Sequence, residues 1–157
     1  MSKAFVILLL IALTACSSSR HESVSGEDCW TYIRKAIDLR GSGKYNESLA
    51  EIEKHGACDK SEIRMSYFYH KGWTYHEMGE YQNAVDAFSR GLETQPDYFY
   101  AHWRRGLSYE ALGDTVQAQK NYRLGYEVGV NEHGNKFFEY MDKNPEVKKN
   151  LVQDWDI

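Results

Sequence analysis

One block of this sequence recurs at a separation of 34 residues. The recurring positions are small or aromatic: Gly72 returns as Gly106, Tyr75 as Tyr109, Gly79 as Gly113, Ala84 as Ala118, Phe88 as Tyr122, and Gly91 as Gly125. A period of this length, with this order of small and bulky residues, is typical of a repeated pair of helices joined by a turn. One such pair is too thin to bury its own apolar face, so it gains a core by stacking on copies of itself. The repeat therefore predicts a curved, all-α stack whose inner face binds other molecules.

The repeated block resembles the tetratricopeptide repeat (TPR) family. In residues 65–98, the signature positions of that family hold Gly72, Tyr75, Tyr81, Ala84, Phe88 and Pro96. Residues 99–132 form a second copy, and residues 29–64 form a weaker first copy with Ala36 in place of the glycine. The resemblance implies an α-solenoid of about three TPR helix-turn-helix repeats. Residues 133–157 differ from the repeats, and we expect them to form helices that cap the open end of the stack.

The glycines of the repeats divide into two groups. Four lie inside predicted helices, where each costs about 1 kcal/mol relative to alanine, and we expect close approach of two helix backbones there: Gly72, Gly91, Gly106 and Gly125. Gly79 and Gly113 instead follow a predicted helix and precede the next, which favours the left-handed conformation at a helix end. Asp114 is placed to cap the helix that follows it.

The resemblance also implies a binding groove. In the TPR family the first helix of each repeat lines the concave face, and these positions hold residue types that dominate interface energetics. The groove residues predicted in this way are Trp30, Arg34, Tyr69, His70, Trp73, His76, Tyr100, Trp103 and Arg104. Some of these side chains could instead fill gaps between repeats. The ligand that we favour is a protein segment, and the alternative is a cell-wall glycan strand stacked on the aromatic rings.

The N-terminus has the features of an export signal. A lysine precedes an apolar run over residues 5–13, which is too short to remain as a membrane span. The run ends in Leu13-Thr14-Ala15-Cys16, which resembles the lipobox of bacterial lipoproteins. That resemblance implies cleavage of residues 1–15, lipid attachment to Cys16 and a flexible tether over 16–28. It further implies a place in the bacterial envelope, with the outer membrane facing the periplasm as the expected site. An ordinary secretory signal is the alternative.

Two cysteines remain in the predicted mature chain, Cys29 and Cys58. In the repeat interpretation Cys29 opens the first helix of repeat one, and Cys58 follows the end of its partner helix. Antiparallel helices place these two ends side by side, and exported proteins meet an oxidising compartment. We therefore expect a Cys29–Cys58 disulfide, with two free, half-buried thiols as the alternative.

No catalytic constellation, glycine-rich phosphate loop or metal-ligand spacing is evident. The formal net charge is −4, and the chain has no basic tract, so nothing favours nucleic-acid binding. We predict a protein that is not an enzyme and needs no cofactor or metal. The predicted function is that of an envelope-anchored scaffold or adaptor that binds envelope proteins or peptide segments. Roles such as assembly of envelope complexes or recruitment of cell-wall enzymes would suit it.

Overall fold

A computed structural model describes residues 26–58 and 61–152 of the chain. The described residues contain helices and no strands, in the order α1 Gly26–Gly41, α2 Tyr45–Gly56, α3 Ser61–Glu77, α4 Tyr81–Thr94, α5 Phe99–Ala111, α6 Thr115–His133, α7 Asn135–Lys143 and α8 Pro145–Leu151. The predicted signal peptide, Cys16 and most of the predicted tether lie outside the described residues, as does the end of the predicted cap at 153–157. The expected all-α solenoid with about three repeats and C-terminal capping helices is confirmed.

In the second and third pairs of helices, an aromatic ring of the second helix packs on a glycine of the first. A β-carbon on Gly72 of α3 would lie 2.8 Å from the ring of Phe88 on α4. Gly106 of α5 has the same relationship to Tyr122 on α6, at 2.5 Å. At these two positions the expectation of two helix backbones in contact is therefore wrong, because the neighbour is a ring. The missing side chain makes room for a ring, because the 16-residue separation aligns the two positions across the helix pair. At Gly125 a β-carbon would lie 3.4 Å from the backbone oxygen of Phe99.

The stack bends toward the first helices of the repeats. Helix α1 contacts α3, and α3 contacts α5, in addition to the contacts between consecutive helices. Among the described residues, no corresponding contact joins α2 to α4 or α4 to α6. Since the first helices approach one another and the second helices diverge, the concave face is formed by α1, α3 and α5.

The turns inside the repeats have the predicted form. Gly43, Gly79 and Gly113 have φ angles of 73°, 78° and 81°, a conformation that residues with a β-carbon rarely adopt. Asp114 accepts a hydrogen bond from the backbone N–H of Gln117 at 3.0 Å, which satisfies one of the free donors at the start of α6. The two predicted left-handed glycines and the predicted cap are thus present.

A disulfide joins Cys29 to Cys58 across the open end of the first pair, with the two α-carbons 6.2 Å apart. Both cysteines are buried with Ile63 of α3 in a small apolar cluster. Nearby, Nδ1 of the fully buried His55 lies 2.8 Å from the carbonyl oxygen of Cys29. This end of the most divergent repeat is therefore held by a covalent link and a buried polar contact.

The other end of the stack is covered by α7 and α8. Phe137, Met141, Val147 and Leu151 are buried in one cluster with residues of the third repeat. The Phe137 ring lies against Gly129 of α6, where a β-carbon would have no room. The last repeat thereby buries an apolar face that would otherwise meet solvent.

Candidate functional site

The floor of the concave face is a tryptophan covered by two arginines. The guanidinium carbon of Arg104 lies 3.2 Å from the centre of the Trp73 ring. That of Arg40 lies 3.9 Å from the same ring. Since Arg40 belongs to α1, Trp73 to α3 and Arg104 to α5, all three repeats contribute one member. We call these three residues the arginine–tryptophan stack.

Neighbouring polar groups hold the stack in place. The indole N–H of Trp73 donates to Oε1 of Glu77 at 3.0 Å, one turn further along α3. Nε–H of Arg104 donates to the hydroxyl of Tyr69 at 3.2 Å. Tyr69 is itself buried, and burial raises the pKa of its hydroxyl. It therefore serves as a neutral hydrogen-bond acceptor for the arginine.

Arg40 is a buried cation with a free donor. It is 7% exposed, and its Nη1 has no hydrogen-bond partner within residues 26–58 and 61–152. Burial, followed by the charge of Arg104, lowers the pKa of Arg40 to about 10. The group is still protonated at neutral pH. Within residues 26–58 and 61–152, no carboxylate lies within ion-pair distance of Arg40 or Arg104.

The histidines of this face are neutral rather than cationic. The His70 ring is nearly parallel to that of Trp73, with an angle of 9° between them. Burial and the charges of Arg40, His55 and Arg104 lower the pKa of His70 to about 3. Burial likewise lowers the pKa of His76, whose Nδ1 lies 2.9 Å from the Ser108 hydroxyl.

A row of tyrosines continues from the stack toward the cap. The Tyr69 and Tyr98 ring centres are 5.2 Å apart, those of Tyr98 and Tyr100 are 5.5 Å apart, and those of Tyr100 and Tyr140 are 5.2 Å apart. The last three rings line a cleft of about 380 Å³, which we call the aromatic cleft. Phe99 and Phe137 add further aromatic wall, and the polar part of the lining is formed by Gln95, Asp97, Glu132, His133 and Lys136. The concave face therefore offers a cationic site and an adjacent aromatic site.

The predicted groove residues do not all come together. Tyr69, His70, Trp73 and Arg104 come together at the stack. Tyr100 belongs to the tyrosine row, and His76 bridges α3 to α5. Trp30 is 45% exposed and lies beside His55 of α2, with their ring centres 5.5 Å apart. Arg34 is exposed, and its guanidinium group donates a hydrogen bond to the hydroxyl of Thr31 on the same helix.

Trp103 was predicted to be a groove residue, but the structure places it in the core. It is 7% exposed and packs with Phe99, Tyr122 and Phe137. The equivalent residues of the other repeats, Ile33 and Tyr69, are also buried. This position of the first helix faces neighbouring helices rather than a ligand.

Arg40 occupies an inward-facing position of the first helix of repeat one, where the family resemblance already implies a residue of the concave face. One residue of the aromatic cleft was missing from the predicted groove set. Tyr140 lies in the cap, outside the repeats, and no sequence signal placed it beside Tyr100.

A larger cleft, of about 490 Å³, lies away from the concave face. It is bordered by the end of α2, the start of α3 and the end of α4, and Arg64, Arg90 and Glu93 lie at its edge. These three side chains are exposed and so remain hydrated. Of these two surfaces, the concave face is the one that combines a buried charge with a free donor, which makes it the stronger candidate.

Within the described part of the chain, no group of three or more acidic, histidine or cysteine side chains is arranged to hold a metal ion. None of the described helices has both the length and the apolar character needed to cross a bilayer.

Comparison with known proteins agrees with this architecture. The family model described as TPR repeat matches residues 72–113. The chaperone SycD, described as a type III secretion translocator chaperone of Yersinia enterocolitica, superimposes with a TM-score of 0.69 at 17% identity, over 82% of this chain and 92% of that one. Two structures of MamA give TM-scores of 0.58 and 0.54 at 19% and 18% identity. The first covers 79% of this chain and 74% of MamA, and the second covers 83% and 78%. Among curated proteins, none matches this chain.

The fold and the repeat match define a helical-repeat protein. Residues 72–113 match the TPR repeat, and the helical stack around them has the fold of TPR-type proteins. Proteins with this fold generally act as scaffolds for protein–protein interaction rather than as enzymes.

Proposed function

We propose that this protein is an envelope-anchored scaffold that binds a segment of a partner protein along its concave face. The observation that carries the proposal is the arginine–tryptophan stack. Arginine and tryptophan are enriched among the residues that dominate binding energy. Here both types lie on the inner face of the solenoid, and Nη1 of Arg40 has no hydrogen-bond partner among the described residues. The stack continues into the aromatic cleft, so one extended segment could contact both.

The anchoring half of the proposal comes from the sequence. Leu13-Thr14-Ala15-Cys16 provides a lipobox-like cleavage site, and acyl chains on Cys16 would hold the domain at a membrane surface. The Cys29–Cys58 disulfide suits an oxidising compartment. SycD is a chaperone of type III secretion translocators, and a similar fold in this chain is consistent with binding segments of other proteins. Assembly of an envelope complex and recruitment of cell-wall enzymes are both suitable roles.

Photo-crosslinking in living cells tests the proposal. A photoreactive phenylalanine analogue would replace Tyr100, which lies at the junction of the tyrosine row and the aromatic cleft. The matched control carries the same analogue at Gln119, which is exposed on the second helix of the same repeat. We expect protein adducts from position 100 and few or none from position 119. Adducts of equal yield and identity from both positions would contradict a groove-binding role.

A second candidate function is direct binding of cell-wall glycan. The specific observation in its favour is the aromatic cleft, because sugar rings stack on aromatic faces and Tyr98, Tyr100 and Tyr140 converge there. The same crosslinking experiment separates the two. Muropeptide adducts at position 100, in place of protein adducts, would favour the glycan.

A further inference from the structure

We propose that the aromatic cleft binds a basic side chain, lysine or arginine, of the partner segment, with its cation over the tyrosine rings and beside the carboxylates of Asp97 and Glu132. The inference rests on the proposed function, because it names the chemistry that one part of the concave face would recognise. It goes further in assigning a residue class to the ligand and in placing the contact where the third repeat meets the cap.

The cleft is built mainly from elements outside the repeated pattern of the first helices. Asp97 and Tyr98 lie in the connection between α4 and α5. Glu132 lies at the end of α6, and Tyr140 lies on α7 of the cap. Tyr100 is the residue that the cleft shares with the predicted groove. The site is therefore a property of how this chain covers its third repeat.

The tyrosine rings of the cleft form walls rather than a parallel stack. The ring planes of Tyr98 and Tyr100 are inclined at 49°, and those of Tyr100 and Tyr140 at 84°, with centres 5.5 Å and 5.2 Å apart. All three side chains are half-buried, so each is accessible in part to a ligand. A cation is attracted to the face of an aromatic ring within about 6 Å of its centre. Because neighbouring centres are closer together than that, one cation in the cleft can lie within range of two rings.

The charged groups that line the cleft leave it net negative. They are the carboxylates of Asp97 and Glu132, the ammonium group of Lys136 and the imidazole of His133. Within residues 26–58 and 61–152, no ion pair involves either carboxylate or Lys136. With the imidazole neutral, two negative charges are opposed by one positive charge. Both carboxylates are exposed and are thus accessible to a cation that enters the cleft.

The tyrosine row runs between regions of opposite charge. At one end lie the guanidinium groups of Arg40 and Arg104, both over the Trp73 ring. At the other end lie the carboxylates of the cleft, and Glu146 of α8 is close enough to Tyr140 to act electrostatically on its hydroxyl. A basic side chain is repelled at the stack and attracted at the cleft. This difference would also fix the direction in which a segment lies along the face.

A cation uses the whole lining of the cleft, whereas other ligand groups use part of it. An uncharged aromatic side chain or a sugar would stack on the rings but gain nothing from the charge of the carboxylates. An acidic side chain would be repelled by Asp97 and Glu132. Single carboxylates at an exposed surface attract weakly, so the contact depends on rings and charges acting together.

Selection from an unbiased peptide-display library tests the inference. The full chain, purified in the form to which cells process it, would be presented in parallel with the Asp97→Asn/Glu132→Gln variant. The control variant is Asp86→Asn/Glu127→Gln, which removes the same two charges from exposed positions of α4 and α6 outside the cleft. We expect peptides enriched in Lys and Arg from the wild type and from the control. The cleft variant should lose that enrichment.

A measurement on the wild-type chain keeps the test independent of the folding of any variant. The best basic peptide would be compared with a version in which each lysine becomes norleucine and each arginine becomes citrulline. These replacements keep the length of the side chain and remove its charge. We expect the neutral version to bind about tenfold more weakly, as for loss of a cation held over aromatic rings. Salt should weaken the basic peptide more than the neutral version.

Substitution of Tyr140 separates the ring from its bulk. Tyr140→Phe keeps the aromatic face and should retain affinity for the basic peptide. Tyr140→Leu keeps an apolar side chain without that face, and it should weaken the basic peptide while leaving the neutral version unchanged. Circular dichroism of both variants checks the fold before binding is measured. Equal loss of both peptides in a folded Tyr140→Leu variant would contradict a cation–ring contact.

Equal affinity of the basic and neutral peptides, or a selection without enrichment of basic residues, would overturn the assignment. The location of the bound peptide distinguishes this result from failure of the proposed function. Peptides without basic residues that crosslink to position 100 would refute the inference and leave groove binding intact. Peptides that crosslink at position 119 and not at 100 would refute groove binding itself.

Discussion

A β-carbon added to Gly106 would lie 2.5 Å from Cε1 of Tyr122. Tyr122 is almost completely buried, so the ring has no solvent-facing rotamer to which it can move without opening the core. We therefore expect Gly106→Leu, and Gly72→Leu in the second repeat, to destabilise the fold by about 1–3 kcal/mol or more through overpacking. Urea unfolding followed by circular dichroism measures this change.

The matched control is Gly41→Ala. Gly41 is also helical, but a β-carbon there would meet nothing within 4 Å. Replacing a helical glycine by alanine usually stabilises by up to about 1 kcal/mol, so this variant should be unchanged or slightly more stable. If the variants at positions 72 and 106 melted at the wild-type temperature, the packing of rings on glycines would be incorrect.

The helix pairing was predictable because it depends on residue size at a fixed spacing. A small residue faces a large one 16 positions later in every repeat. Gly106 and Tyr122 form one such pair, and Ala36 and Ile52 share a core cluster at the same separation in the weakest repeat. Such patterns of residue size are visible in a sequence because side chains in a close-packed core leave neither voids nor overlapping atoms.

The site itself was only partly predictable. Periodicity assigns a residue to a face of its helix, but it does not set the rotamer of a long side chain. Arg40 and Arg104 meet over Trp73 because α1 and α5 both approach α3, a property of the assembled stack. Trp103 was misjudged for the same reason, since neighbouring helices bury its position in all three repeats.

Reduction of the disulfide should destabilise the protein. The bridge joins residues separated by 29 positions in the sequence. A disulfide that closes a loop of this size stabilises the folded state by about 3–4 kcal/mol, because it lowers the entropy of the unfolded chain. We expect Cys29→Ser/Cys58→Ser to lower the free energy of unfolding by a similar amount. Peptide mass mapping without reduction should recover a linked Cys29–Cys58 pair. Complete alkylation of both thiols in unreduced protein would be incompatible with the bridge.

Anchoring can be tested at Cys16. If the lipobox-like sequence directs lipid attachment, Cys16→Ala should abolish labelling with radioactive palmitate and release the protein from the membrane fraction. The control is Ser18→Ala, which changes a neighbouring position and leaves the predicted cleavage motif intact. A Cys16→Ala variant that is still labelled and still sediments with membranes would show that the motif is not a lipid-attachment site.

Acid should destabilise the fold through its buried histidines. Burial lowers the pKa of His55, His70, His76 and His102, whereas an unfolded histidine titrates near about 6.5. As the pH falls below that value, the unfolded state binds protons first, so stability is lost. For His70 this loss continues toward its folded pKa of about 3.

Urea unfolding between pH 7.5 and 4.5 measures this dependence. We expect the midpoint to fall with pH, and His70→Gln to reduce the slope because one titrating group is removed. The control is Gln119→Ala, which changes an exposed side chain of α6 that does not titrate. It should leave the slope as in the wild type. A midpoint that does not change over this pH range would contradict burial of the neutral histidines.

Trp73→Ala should mainly weaken partner binding, whereas Trp103→Ala should mainly lower the stability of the fold. Trp73 is half-buried on the concave face and supports both arginines of the stack. Its truncation should weaken partner capture, since removal of an aromatic anchor often costs about 2 kcal/mol or more, while most of the core remains. Trp103 lies inside the core of the third repeat. Its truncation should destabilise the fold by about 3–5 kcal/mol. It should weaken capture mainly through unfolding, with a smaller direct part because the guanidinium carbon of Arg104 lies 5.0 Å from the Trp103 ring.

Thermal unfolding and pull-down of crosslinked partners, measured on the same preparations, separate these two effects. Gln82→Ala and Gln119→Ala are the controls, because both side chains are exposed on second helices and should affect neither stability nor capture. If Trp73→Ala is folded and retains wild-type capture, the stack is not the binding site. The aromatic cleft, lined by Tyr98, Tyr100 and Tyr140, is then the next candidate for the binding surface. It adjoins the stack, and neither arginine of the stack lines it.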